Sequence, residues 1–332
     1  MNRKRKERIL YPQCENGIYR YEYVEIGGMK QYIQIRGKDK RNPILLFIHG
    51  GPGGSMAGYA HVMQDLWEEK FTVVNWDQRN TCKTYLANKD KAREIAKTGT
   101  MEDYMGDIDE IIKYLHGIYE FEKIILLGFS WGSVIGSEYA KRHPENVYCY
   151  IGVGQLINYA EGFRVVGKQV IERAGQKKNK KDIEKIHKVL NSMLDRPYMT
   201  DEFMKQIQIF VRISNQYLSE NSRSLSWKDF LTSPLMDRKA RKAMYVPHEL
   251  LAGTFKTLYE FDFRNDLNFP IPVYFITGEE DTACPHSLLK DIVDDINAPK
   301  KKLFIMEKAG HCCFYDRKQE FYKLLLDVSD EN

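Results

Sequence analysis

The sequence predicts an α/β fold built on a mostly parallel sheet, with a helical insertion late in the chain. Three observations carry this expectation. Short β-rich runs alternate with longer helical patterns, as βαβ units require. Several of those runs are apolar nearly from end to end, which suits strands covered on both faces. Finally, the stretch 155–265 breaks the alternation with amphipathic segments and little strand pattern.

Taken in order, the runs 21–26 and 31–36 are joined by Gly27-Gly28 and read as an opening hairpin. Runs 44–49, 71–76, 124–128 and 148–153 follow as buried strands, and 272–277 and 302–306 as two more. Thr100 with Asp103 three residues on forms a near capping box. Apolar positions at Met101, Tyr104, Met105, Ile108, Ile111, Ile112 and Leu115 then recur at helical spacing. A second helix is expected from about Gly132 to Lys141, stopped by Pro144. Two further helices are expected at 286–296 and 318–328, and the insertion contains amphipathic segments at 183–194, 202–218 and 249–260. The resulting division is a core of 1–154 and 266–332 with a helical cap of 155–265.

Composition narrows the function classes. The chain has 332 residues, 43% apolar and 29% charged, enough for a large core and too apolar for a chain that is mainly disordered. A net charge of +4 is too small to argue for nucleic acid as a partner. The basic clusters Arg3-Lys4-Arg5-Lys6 with Arg8, and Lys177, Lys178, Lys180 and Lys181, read as a solvated tail and a solvated loop. No apolar segment follows the first cluster as a secretion signal requires, and the apolar runs are too short to cross a bilayer, so no membrane partner is expected. Six cysteines without a C-x-x-C spacing suggest reduced thiols rather than a disulfide framework or a zinc site. The expectation is a cytoplasmic protein without metal or cofactor.

The strongest chemical signal is Gly128-Phe129-Ser130-Trp131-Gly132, directly after a strand pattern and directly before a helical one. A sharp strand–turn–helix places a serine in a strained conformation, and small neighbours let strand and helix pass closely. The helix amino terminus then aims its free N–H groups at developing negative charge. Ser130 is therefore the candidate nucleophile. The second signal is His49-Gly50-Gly51-Pro52-Gly53 after the run ending at Ile48. The backbone N–H groups of Gly51 and Trp131 are the expected oxyanion hole.

A serine needs an oriented base. Of eight histidines, His311 is the choice, because it follows the last predicted strand within Ala309-Gly310-His311; His286, after Cys284-Pro285, is the weaker candidate. For the acid that orients the imidazole, the sixth strand ends without a carboxylate, whereas the seventh ends in Gly278-Glu279-Glu280-Asp281. Asp281 is the first choice, ahead of Glu280 and Glu279.

At these residues the chain resembles the proline iminopeptidase family of α/β-hydrolases. The resemblance rests on H-G-G-P-G at 49–53, W-D-Q-R at 76–79, G-F-S-W-G-S at 128–133, and the late pair of G-E-E-D at 278–281 with Gly310-His311. It implies an α/β-hydrolase fold, with an eight-stranded, mostly parallel sheet and a helical cap inserted after strand six. It also implies Ser130, Asp281 and His311 as a triad, Gly51 and Trp131 as the oxyanion hole, and release of an amino-terminal residue, often proline, from short peptides. Two departures are plain. The family's glycine-rich continuation of D-Q-R is replaced by Asn80-Thr81-Cys82-Lys83-Thr84. The family's aminopeptidases hold the substrate ammonium with cap glutamates, and Ser214 stands here where one would be; Glu220 and Glu249 are the candidate substitutes. The alternative activity is an esterase or amidase acting on small acyl substrates with the same triad. A binding module that no longer hydrolyses is disfavoured by the intact triad, and a dehalogenase or epoxide hydrolase by serine, not a carboxylate, at position 130.

Overall fold

A computed structural model describes residues 3–194, 200–222 and 225–330. Its centre is one sheet of eight strands: β1 (Ile18–Ile26), β2 (Met29–Gly37), β3 (Ile44–Ile48), β4 (Thr72–Asp77), β5 (Ile124–Phe129), β6 (Val147–Val153), β7 (Val273–Gly278) and β8 (Lys301–Met306). Their spatial order is β1-β2-β4-β3-β5-β6-β7-β8. The hairpin β1–β2 is antiparallel and β2 joins β4 antiparallel; every other pairing is parallel. The chain reverses its direction of travel across the sheet at β3, so β4 and β5 lie on either side of it. The carboxyl ends at such a switch point leave a crevice between diverging loops.

β3, Ile-Leu-Leu-Phe-Ile, is buried throughout, yet it still alternates. Ile44, Leu46 and Ile48 enter one apolar layer with Ile108, Ile111 and Val134 from the helices Met101–His116 and Trp131–Arg142. Leu45 and Phe47 enter the opposite layer with Trp67, Phe314 and Phe321. The capping box is complete: Asp103 N–H donates to the Thr100 hydroxyl and Thr100 N–H donates to the Asp103 carboxylate.

Between β6 and β7 the described residues form helices and no named strand. Three of them, Tyr159–Gln176, Lys180–Leu194 and Asp201–Leu218, share an apolar cluster of their own that includes Val166, Val170, Ile186, Phe210 and Ile213. The remainder of 155–265 packs differently. Phe230, Met236 and Met244 join one layer of the sheet, and Leu251, Phe255 and Leu258 join the other. The helix Tyr159–Gln176 has no counterpart among the sequence expectations, because three glycines interrupt its apolar positions.

Other elements differ from expectation in detail. The segment 286–296 is split into a helix His286–Lys290 and a 3-10 turn Val293–Asp295. The segment 249–260 begins as a 3-10 turn, His248–Leu251. The first basic cluster lies in a helix, Arg3–Leu10, with Lys6 and Arg8 exposed; the Tyr21 hydroxyl holds its last carbonyl. In the second cluster Lys177 sits 5.3 Å from the Tyr217 ring centroid. No helix among the described residues is long and apolar enough to cross a membrane, and no group of His, Cys, Asp and Glu among them is arranged to hold a metal ion.

The helix Trp131–Arg142 crosses β3 so closely that a Cβ at Gly132 would overlap the Ile48 carbonyl. Gly132→Ala should therefore destabilise the protein by about 3 kcal/mol, the cost of overpacking where backbone cannot yield, read as a lowered midpoint in urea unfolding. An unchanged midpoint would mean that the crossing is looser than described. At the end of β4, burial pushes the Asp77 carboxyl up to about 6, against the pull of the Ser55 hydroxyl and of Lys83. A carboxyl raised in the folded state favours folding when protonated, so its contribution is lost as pH rises from about 4 to about 6. Asp77→Asn should remove that loss. Its stability relative to wild type should rise between pH 4 and pH 7 by about 3 kcal/mol, and a difference independent of pH would contradict the assignment.

Candidate active site

Ser130 stands between β5 and the helix Trp131–Arg142, with φ +54° and ψ −119°. A residue with a side chain occupies that region only where the surroundings hold it. Here its N–H donates to the Val153 carbonyl at 3.0 Å, across to β6, and its carbonyl accepts from Ser133 N–H at 2.8 Å and from the Ser133 hydroxyl at 2.6 Å. Trp131 is the first helical residue, so its N–H is one of the donors a helix leaves unpaired.

The glycine loop after β3 lies directly on this turn; a Cβ at Gly50 would come within 2.9 Å of Ser130 Cβ. Gly51 has φ +121°, and a side chain there would run into the backbone of Gly53 and Gly54. His49 is buried and neutral. Its Nε2 accepts from Gln78 N–H at 3.2 Å, its Nδ1 faces the Gly50 carbonyl at 2.8 Å, and burial pulls its pKa down to about 4. His49 is thus a structural group of the loop.

The W-D-Q-R segment supplies four anchors in succession. Trp76 donates its indole N–H to Gln31 at 2.6 Å. Asp77 accepts from Ser55 and from Lys83 N–H. Gln78 donates to the His49 carbonyl at 2.9 Å and accepts from the Trp131 indole at 2.9 Å. Arg79 makes a bidentate, buried pair with Asp107 at 2.6 and 2.7 Å. The departing residues Asn80 and Cys82 both have positive φ, and Asn80 donates to the carbonyls of Ala92 and Leu250.

The loops after β7 and β8 bring Asp281 and His311 together. The His311 Nδ1 lies 3.0 and 2.9 Å from the two Asp281 oxygens. Asp281 is buried, and its Oδ1 also accepts from the N–H groups of Ala283 and Cys284, both at 2.8 Å. A buried carboxylate with these donors holds one imidazole tautomer, proton on Nδ1, and leaves Nε2 free to accept. Glu279 and Glu280 do not occupy this position. Glu279 is exposed, and Glu280 accepts from Asn221 and from Ser222 N–H, tying the end of the helix Asp201–Leu218 to the β7 loop.

Ser130 and His311 face one cavity of about 580 Å³. Gly51, Trp131, Phe129 and Cys312 contribute from the sheet loops, and Leu156, Tyr159, Phe163, Ile207, Val211 and Leu258 line it as well. Met56, Tyr59, Leu225, Trp227, Met244 and Tyr245 complete its apolar lining. Trp227 and Tyr245 are exposed at the mouth, with ring centroids 5.4 Å apart. Cys284 also faces the cavity beside Ser130, and burial pushes its thiol well above the ordinary value, so it stays protonated. Among the described residues, no Asp or Glu lines this space.

Three expected substrate-binding residues are placed elsewhere. Ile207 and Val211 carry the contribution of their helix to the cavity; Ser214 lies one turn further along, buried, its hydroxyl without a partner among the described residues. Glu220 is largely exposed, 3.9 Å from Arg173, and lines a separate cavity of about 480 Å³ together with His286. Glu249 is largely exposed beside His248. The helix Asp201–Leu218 ends before Glu220, and the 3-10 turn His248–Leu251 buries Leu250 and Leu251, which leaves both glutamates at the surface. The aromatic walls and Gln78 carried no expectation, since periodicity identifies an apolar position without showing what space it bounds.

The model of the alpha/beta hydrolase fold matches residues 43–318. A probable aminopeptidase of Bacillus subtilis (strain 168), YbaC, is 26% identical over 306 residues, covering 87% of this chain and 89% of that protein. A proline iminopeptidase of Lactobacillus helveticus (strain DPC 4571) is 21% identical over 313 residues, covering 92% and 96%. The crystal structure of a proline iminopeptidase of Mycobacterium smegmatis shares the fold with a TM-score of 0.64 at 17% identity, covering 95% of this chain and 98% of that one. With the sheet order, the strained serine after β5 and the paired Asp and His after β7 and β8 already in view, this match shows that the chain belongs to the alpha/beta hydrolase family.

Proposed function

We propose that the chain is a serine hydrolase that works through an acyl-enzyme on Ser130. The observation that carries this reading is His311, held at Nδ1 by Asp281, lining the same cavity as a serine at positive φ on a helix amino terminus. Ser130 Oγ attacks the substrate carbonyl and passes its proton to His311 Nε2. The oxyanion is held by the N–H groups of Gly51 and Trp131, and His311 returns the proton to the leaving group. Water then hydrolyses the acyl-enzyme by the same route.

For the substrate, the relatives named as probable aminopeptidase and proline iminopeptidase support release of an amino-terminal residue such as proline from short peptides. Proline fits apolar walls by its ring. A second reading, an esterase or amidase on small acyl compounds, is favoured by one observation: no carboxylate among the described residues lines the cavity to meet an ammonium.

Three measurements test this. Ser130→Ala should lower turnover by about 10⁴- to 10⁶-fold and abolish labelling by a fluorophosphonate probe; labelling that persists at another serine refutes the assignment. His311→Ala should silence the enzyme similarly while His286→Ala leaves it active, and a dominant effect at His286 would reverse the choice of base. Prolyl arylamide compared with its amino-blocked analogue and with short acyl esters separates the two substrate readings. Strong preference for the free amine supports the aminopeptidase, and equal cleavage of blocked and free substrates supports the esterase or amidase.

A further inference from the structure

We propose that Gln78 is a positioning residue that holds the two halves of the oxyanion hole at one spacing, by bridging the glycine loop to Trp131. The inference rests on the serine-hydrolase reading above.

The two donors come from unconnected pieces of chain. Gly51 is on the loop after β3, and Trp131 starts the helix after β5. An oxyanion hole lowers a barrier only if its donors already stand where the charge will form. Gln78, on the loop after β4, is hydrogen-bonded to both pieces. Its Nε2 donates to the His49 carbonyl, its Oε1 accepts from the Trp131 indole, each at 2.9 Å, and its own N–H donates to His49 Nε2 at 3.2 Å.

The third bond reaches the donor itself. Because His49 Nε2 accepts, the ring proton sits on Nδ1 and is directed to the Gly50 carbonyl at 2.8 Å. That carbonyl and the Gly51 N–H belong to one planar peptide unit, so fixing the oxygen fixes the direction of the N–H at the other end. The same carbonyl also accepts from Gly54 N–H at 3.4 Å within the loop, and Gly51 itself has φ +121° and no side chain to anchor it. On the other side, an indole pinned at Nε1 restricts how Trp131, and the first helical N–H with it, can shift. Gln78, His49 and Trp131 are all almost fully buried, so water does not compete for these bonds. An uncharged amide can donate from its nitrogen and accept at its oxygen at once, as this bridge requires.

The test uses the full chain and compares wild type with Gln78→Met, Gln78→Glu, Trp131→Phe and the double variant Gln78→Met/Trp131→Phe. Gln78→Met keeps the volume and removes both side-chain bonds. It should lower kcat by about 10- to 100-fold, less than deletion of an oxyanion donor itself, with KM within about threefold, and slow fluorophosphonate labelling in proportion. Adding Trp131→Phe should cost little more than Gln78→Met alone, because both remove one bridge. In Gln78→Glu the introduced carboxyl can donate to the His49 carbonyl only while protonated. Its rate relative to wild type should therefore fall as pH rises from 5 to 9, which a purely packing role would not produce. This ratio decides the matter if Gln78→Met fails to fold by circular dichroism. Wild-type kcat in a folded Gln78→Met, a rise in KM alone, additive losses in the double variant, or a pH-independent Gln78→Glu ratio would overturn the proposal while leaving the hydrolase reading in place. A wild type that the probe does not label would refute that reading itself.

Discussion

The helix Trp131–Arg142 passes so near β3 that residue 132 has no room for a side-chain carbon, and the chemistry at the sheet edge is arranged around that approach. Because helix and strand touch backbone to backbone, the turn between β5 and the helix must be tight, and Ser130 takes φ +54° to make it. Such a conformation costs of order 1–3 kcal/mol. It is sustained by strands buried along their whole length, β5 among them, and by the bond from Ser130 N–H to Val153 on β6. The same approach lays the glycine loop on Ser130, so serine and loop are placed by one packing constraint.

Around that contact, buried polar groups are kept in definite states by their partners. Asp281 is surrounded by the N–H groups of Ala283 and Cys284 and by His311, a donor set suited to a carboxylate. His49 and Cys284 are driven to their neutral forms by burial. The side chains that line the cavity are mostly aromatic and aliphatic. In such surroundings polar groups meet little competing solvent, and the direction of each N–H counts for more.

The residues that line the cavity are anchored differently. Tyr159, Phe163, Ile207 and Val211 belong to helices with an apolar cluster of their own, whereas Met244 and Leu258 belong to segments packed into the layers of the sheet. Substrate fit thus depends on how the three-helix unit sits on the sheet as well as on the side chains it presents. Tyr159 links them, with its ring centroid 4.9 Å from that of Tyr259 and 4.8 Å from that of Phe163.

By itself the sequence determined the strands of the sheet and the glycine-flanked strand–turn–helix at Ser130. The continuous apolar run of β3, the Thr100–Asp103 cap and the glycine-flanked Ser130 after a strand pattern are local features, and local sterics and hydrogen bonding decide them. The nearness of Asp281 and His311 was legible too, because each follows a strand and parallel strands deliver their loops to one edge. Other outcomes were decided only by tertiary structure. Ser214, Glu220 and Glu249, the candidate substrate-binding residues, do not line the cavity, and Gln78 proved to join two loops that its position in the chain does not connect. Which way a helix turns its side chains toward a cavity depends on how it packs against other helices. A bridge such as Gln78 exists only when β3, β4 and β5 are side by side, because its partners, 29 and 53 residues away, meet it nowhere else.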